Sequence, residues 1–164
     1  MKRILLAVVA VVLLFFVGRA VVRALASDET KIRRVVANMA EGFDRTRMDP
    51  VLAGLARDFE DESSGATRQE VREGLAYLFF NAKDEATKRF AYRVETEIQR
   101  IGVDRSDKGA PTAQCEMTAR FLDVRGGKES PAWEISVAAS LVRGEDGWRI
   151  RRTKYATKAG TMLR

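Results

Sequence analysis

At Phe90 the spacing of apolar residues changes from a period of about 3.6 to a period of 2, and this switch divides residues 27–164 into a helical part and a strand-forming part. Before it, Ser27 is a good N-cap, Asp28 and Glu29 complement the helix dipole, and Ile32, Val35, Val36, Met39 and Phe43 recur at helical spacing. A first helix is expected to run to about Arg47. Asp49-Pro50 opens a second, short helix with Val51, Leu52, Leu55 and Phe59 facing inward. Glu60 to Gly65 reads as a loop, and Thr67-Arg68-Gln69-Glu70 as a capping box for a third helix that turns Val71, Leu75, Leu78 and Phe79 to one side.

After the switch, Phe90, Tyr92, Val94, Thr96 and Ile98 alternate with Arg93, Glu95, Glu97 and Gln99. A turn-rich stretch from Asp104 to Pro111 leads to Ala113, Cys115, Met117, Ala119 and Phe121, set opposite Gln114, Glu116, Thr118 and Arg120. Gly126-Gly127 turns the chain into a third strand carrying Trp133, Ile135, Val137, Ala139 and Leu141. Gly144-Glu145-Asp146-Gly147 then makes a tight turn into Trp148-Arg149-Ile150, so the last two strands form a hairpin. A sheet with one apolar face needs a cover, and the three helices supply it. The expected fold class is α+β, with three N-terminal helices on a curved, mainly four-stranded antiparallel sheet.

Ahead of this domain, Lys2 and Arg3 precede fourteen uninterrupted apolar residues, Ile4 to Val17, and only Arg19 and Arg23 interrupt the continuation to Ala26. A helix over residues 4–25 has the ~20 residues that crossing the hydrocarbon takes, with both arginine stems able to reach headgroup level. Ala24-Leu25-Ala26 also has the small-x-small pattern of a signal cleavage site, but two arginines separate it from the apolar run. Residues 1–26 are therefore expected to be a single-pass transmembrane anchor and 27–164 the folded domain, placed outside the cytoplasmic membrane of a bacterium.

Of the 164 residues, 29 are Lys or Arg and 23 are Asp or Glu, a net charge of +6 that invites a nucleic-acid reading. Four of those bases lie before Asp28, where there is no acid, so the domain itself carries 25 bases against 23 acids, or +2. Trp148 to Arg164 hold six bases and no acid, leaving −4 on residues 27–147. Arg149, Arg151, Arg152 and Lys154 are thus a candidate basic surface, expected on a solvated edge strand, and no nucleic-acid partner is expected.

The chain has no histidine and one cysteine, which excludes a Ser-His-Asp triad, a Cys/His zinc site and an internal disulfide. Cys115, mid-strand among apolar neighbours, reads as an inert buried thiol. Asp58, Glu60, Asp61 and Glu62 lack the spacing of a calcium loop and read as a solvated segment, so neither metal nor cofactor is expected.

Helix-then-strand order, together with Ile32 to Phe43, Asp58-Phe59-Glu60-Asp61 leading through Gly65 to Thr67-Arg68-Gln69-Glu70-Val71 and Leu75, and the closing Asp146-Gly147-Trp148-Arg149-Ile150, resembles the nuclear transport factor 2-like superfamily. The resemblance covers residues 28–156 and implies a cystatin-like, SnoaL-like cone in which a curved sheet wraps around the helices. It does not assign an activity, because that fold hosts isomerases, dehydratases and binding modules alike. Its enzymes project a carboxylate into the cone, whereas the inward positions here are Phe90, Tyr92, Val94, Thr96, Ile98, Cys115, Met117, Phe121, Trp133, Ile135, Val137 and Leu141. Glu95, Glu97, Glu116 and Glu134 fall on the opposite face. No catalytic residue is assigned. Tyr92, Met117 and Trp133 are the candidate ligand-binding residues, Tyr92 for its hydroxyl on an apolar wall. The expected function is a membrane-tethered, non-enzymatic binding or assembly domain that takes a partner protein or a small apolar ligand, with a homodimer through the outer sheet face as a further partner. The alternative is a small hydrolyase or isomerase using a cone-facing carboxylate or tyrosine.

Overall fold

The computed structural model describes residues 27–105 and 109–161. Three helices, α1 (Asp28–Asp44), α2 (Met48–Ala53) and α3 (Arg68–Asn81), pack on a five-stranded sheet. The strands are β1 (Leu55–Asp61), β2 (Tyr92–Asp104), β3 (Thr112–Asp123), β4 (Ser130–Gly144) and β5 (Gly147–Gly160), in spatial order β1-β5-β4-β3-β2. β2 to β5 form an antiparallel meander, and β1 pairs parallel to β5. The predicted anchor, residues 1–26, lies outside the described residues, among which no helix is long and apolar enough to cross a membrane.

The helix starts follow local chemistry. Ser27 Oγ accepts the Thr30 N–H at 3.2 Å, and in the capping box Thr67 Oγ1 accepts the Glu70 N–H at 3.4 Å while Glu70 Oε2 accepts the Thr67 N–H at 2.7 Å. The first helix ends at Asp44 rather than Arg47, because Arg45 and Thr46 turn the chain, Thr46 with φ 53°.

The fifth strand corrects the expectation of four. Leu55 and Phe59 are buried as expected, but on β1 and not on a prolonged second helix. A spacing of four satisfies both the helical period and the strand period, so these two residues could not decide between them. β1 also extends to Asp61, so Asp58, Glu60 and Asp61 belong to a strand and not to a solvated loop. The same pairing corrects the position of β5, which lies between β1 and β4 instead of at an edge.

The main core joins all three layers of contact. Ile32 from α1 and Leu52 from α2 pack with Leu55 and Phe59 of β1, Cys115 of β3, Leu141 of β4, and Trp148 and Ile150 of β5. Ile32, Cys115 and Leu141 are at most 1% exposed, which makes this the tightest part of the molecule. Burial pushes the Cys115 thiol pKa up and keeps the thiolate scarce, in keeping with an inert thiol.

Candidate functional site

At the other end of the same sheet face lies a second apolar cluster. Ala119, Ile135 and Val137 form its buried centre, with Val94, Met117, Phe121, Trp133 and Tyr155 half-buried around them. A bulge in β2 between Ile98 and Arg100 shifts the register, so that Ile101 and Val103, after the bulge, rejoin Ile98 on the main core. Thr96 is exposed, although its alternation marks it as inward.

Aromatic rings connect this cluster to the foot of α1. Phe43 lies 5.3 to 5.7 Å from Phe79, Phe90 and Phe121, edge to face in each case. Phe121 stacks on Trp133 at 5.3 Å, and Tyr155 meets Trp133 edge-on at 5.9 Å. Tyr92 continues the row on the other side through Phe90, at 6.0 Å. Tyr92, Met117 and Trp133 are thus placed along one wall, while Trp148, 3% exposed, lies at the opposite end of the β4–β5 hairpin in the main core. The Trp133 indole donates to Thr157 Oγ1 at 3.2 Å, which fixes the ring without using a core polar group.

The strand carboxylates fall where the alternation puts them, away from this wall. Glu95 pairs with Arg93, Glu97 and Glu134 with Arg120, at 2.5, 3.4 and 3.1 Å. The carboxylates of the domain that are buried are engaged elsewhere. Asp28 accepts the Trp148 indole N–H at 3.2 Å and bonds from Arg105 and Arg143 at 2.9 and 3.4 Å. The indole N–H first, with the two guanidiniums, holds its carboxyl below the usual range. Asp61 accepts from Ser64 N–H and Oγ and from Thr153 Oγ1, at 2.9, 2.7 and 2.8 Å, tying the turn before α3 to β5.

Asp84 does the same for the segment between α3 and β2. It accepts from Thr87 N–H and Oγ1 at 2.6 and 2.8 Å and from Gly126 N–H at 3.0 Å, and the Thr87 amide foremost lowers its pKa from 3.8 to about 2. A lowered native pKa stabilises the fold above the unfolded value near 3.8, and that contribution disappears as the pH falls toward 2. Asp84→Asn, whose amide nitrogen cannot accept the Gly126 N–H, is expected to reduce stability at pH 7 and to flatten its decline between pH 4 and 2.5. Urea titrations at three pH values check this, and parallel pH curves for the two proteins would contradict it.

Of the candidate basic residues, Arg149 pairs with Asp146 and Arg151 with Asp58, at 2.9 and 2.7 Å, and Arg152 with Glu60. Lys154 faces the outer side of the sheet opposite Ala138. The acids of β1 therefore neutralise much of the basic last strand, a consequence of the parallel pairing that puts Glu60 beside Arg152.

Three residues acquire a role at this end of the molecule only in the structure. Phe43 was placed inward, but its role as the hub of three rings depends on contacts across the fold. Asp84-x-x-Thr87 is a local hydrogen-bonding pattern that could have been found. Asp44, the last residue of α1, lies beside a cleft of ≈ 670 Å³ also lined by Phe79, Phe90 and Tyr92. Its Oδ1 accepts the Val94 N–H at 2.8 Å on the edge strand, and partial burial pushes its carboxyl pKa upward.

No protein-family model matches the sequence, and no curated protein matches it. Solved structures do. A protein of unknown function with a cystatin-like fold from Nostoc punctiforme superposes with a TM-score of 0.59 at 15% identity, over 83% of this chain and 95% of that one. An NTF2-like protein with a cystatin-like fold from Novosphingobium aromaticivorans gives 0.57 at 16% identity, over 88% and 90%. A ketosteroid isomerase-like protein from Erwinia carotovora atroseptica gives 0.54 at 15% identity, over 79% and 95%. The fold is the NTF2-like, cystatin-like α+β cone, and likeness at these identities is one of fold.

Proposed function

We propose that this NTF2-like domain is a non-enzymatic binding module that takes a small apolar ligand against the inner wall of its cone, tethered by residues 4–25 on the outer side of a bacterial cytoplasmic membrane. The observation that carries the reading is the wall itself. Val94, Met117, Phe121, Trp133 and Tyr155 form a half-buried apolar surface, while Glu95, Glu97 and Glu134 are ion-paired on the opposite face. Apolar walls with a few convergent polar groups are what small-molecule sites are made of. The fourteen-residue apolar run supports the tether. Carbonate extraction of membranes checks it, a chain released into the supernatant being the contrary result.

The ligand reading is tested with the full-length chain and an uncharged fluorophore, N-phenyl-1-naphthylamine. Saturable binding is expected, weakened about tenfold by Trp133→Ala, since a buried aromatic contact contributes on the order of 1–2 kcal/mol. Non-saturable partitioning, or equal binding by the variant at unchanged thermal stability, overturns the reading.

One observation favours the enzymatic alternative: the upward-shifted Asp44 carboxyl borders the cleft that Tyr92 lines. A cleft-bound ketone such as 2-cyclohexenone would then exchange its α-protons with solvent, and Asp44→Asn would abolish that exchange. No exchange above the buffer rate excludes this activity toward such ketones.

A further inference from the structure

The cleft at the aromatic end of the cone joins an apolar floor to a strongly basic rim. Phe79, Phe90 and Tyr92 line it together with Arg45, Lys83, Lys88, Arg89 and Arg93, against the single acid Asp44. Two of these cations are already matched. Arg45 pairs with Glu41 at 3.1 Å, and Arg93 with Glu95 and Glu129 at 2.5 and 3.1 Å. Lys83, Lys88 and Arg89 have no carboxylate partner among the described residues. The Lys83 ammonium sits 5.4 Å from the centroid of the exposed Phe80 ring.

These three cations are held on a fixed turn. Lys83 and Phe90 bridge across its base, Asp84 N–H donates to Arg89 C=O at 2.8 Å, and Lys88 N–H to Asp84 C=O at 2.9 Å. Lys88 is in the left-handed region at φ 58°, a conformation uncommon for a lysine that the Asp84 bonds maintain. Like charges gathered in one cleft repel, so a turn that fixes them gains when an anion binds among them.

We propose that this cleft is an anion subsite, and that the ligand of the cone is an anionic amphiphile whose phosphate head lies among Lys83, Lys88 and Arg89 while its apolar tail lies on the floor made by Phe79, Phe90 and Tyr92. The tail assignment rests on the ligand reading above. The head assignment rests on the rim alone.

The test uses two photoreactive probes with the same diazirine-bearing dodecyl tail, one ending in a phosphate monoester and one in a hydroxyl, on the full-length chain in a non-ionic maltoside. The phosphate probe is expected to label peptides containing Phe79, Phe90 or Tyr92 at about tenfold lower concentration than the alcohol, as charge-assisted hydrogen bonds to two or more cations imply. Lys83→Ala/Lys88→Ala/Arg89→Ala is expected to erase that advantage and leave alcohol labelling unchanged. A Lys83→Arg/Lys88→Arg variant, which keeps the charge, is expected to keep the advantage, and unchanged thermal melts show that both variants fold. Equal labelling by the two probes, or indifference to the triple substitution, overturns the anion subsite while leaving the apolar reading intact. Absence of labelling by both overturns both proposals. Inorganic phosphate binding as tightly as the phosphate probe, or labelling that requires anionic vesicles, overturns the assignment to a monomeric amphiphile.

Discussion

Replacing Trp148 with alanine is expected to lower the unfolding free energy by about 3–5 kcal/mol, read from urea denaturation at pH 7 by circular dichroism. The indole is 3% exposed in the main core, so truncation leaves a cavity in the cluster it shares with Ile32, Leu55 and Ile150. The change also takes from the buried Asp28 carboxylate the donor that contributes most to its low pKa. A small domain has a total stability of only about 5–15 kcal/mol, so this one substitution removes a large fraction of it. Trp148→Phe separates the two effects. It keeps most of the volume and loses the indole N–H, for an expected cost of about 1.5–3 kcal/mol, the range for hydrogen bonds to charged groups. The cost should shrink when Asp28→Asn is already present, because the pair then no longer includes a charge. It should also shrink with acidity: Asp28, lowered in the fold, stabilises at pH values above its unfolded pKa and loses that contribution as the pH falls below it. A loss under about 1 kcal/mol for the alanine variant would contradict the core assignment.

Phe43→Ala is expected to cost a similar ~3–5 kcal/mol and to act on the site as well as on the fold. Phe43 is 8% exposed and touches rings from α3, from the segment before β2 and from β3. Removing it loosens the C-terminal end of α3, a helix with no fully buried residue, where Phe79 packs on Phe43. Proteolytic cleavage at Lys83, Lys88 and Arg89 should therefore accelerate, and binding of the apolar fluorophore should be lost together with stability. Phe43→Leu retains the apolar volume but forfeits the edge-to-face contacts, each worth about 0.5–1.5 kcal/mol beyond its area. It should fall between the wild type and the alanine variant in both readouts. An alanine variant with undiminished stability and binding would mean that the aromatic row does not join helix to wall.

The strands β2 to β5 were legible because half-buried antiparallel strands impose a period of 2 over 12 to 15 residues, long enough to stand out from noise. The same alternation placed Tyr92, Met117 and Trp133 on one face and Glu95, Glu97 and Glu134 on the other. β1 was not legible. Its seven residues contain two large apolar side chains at a spacing that fits helix and strand alike, and its partner residues are 92 to 95 positions away. With β1 unread, the acids Asp58 and Glu60 read as a solvated loop and Arg151 and Arg152 as an unpaired edge. Parallel pairing with β5 brings each acid to its arginine.

The sequence by itself determined the class of fold, the order of the three helices and of the four long strands, the caps of α1 and α3, and which face of each of β2, β3 and β4 turns inward. All of these follow from local chemistry or from periodicity within one element. The tertiary structure alone decided the fifth strand, the neutralisation of the basic last strand, the separation of the two tryptophans into different cores, and the gathering of Lys83, Lys88 and Arg89 over an aromatic floor. Each of these depends on which distant segments meet, and pairwise contacts across tens of residues leave no repeating signal along the chain.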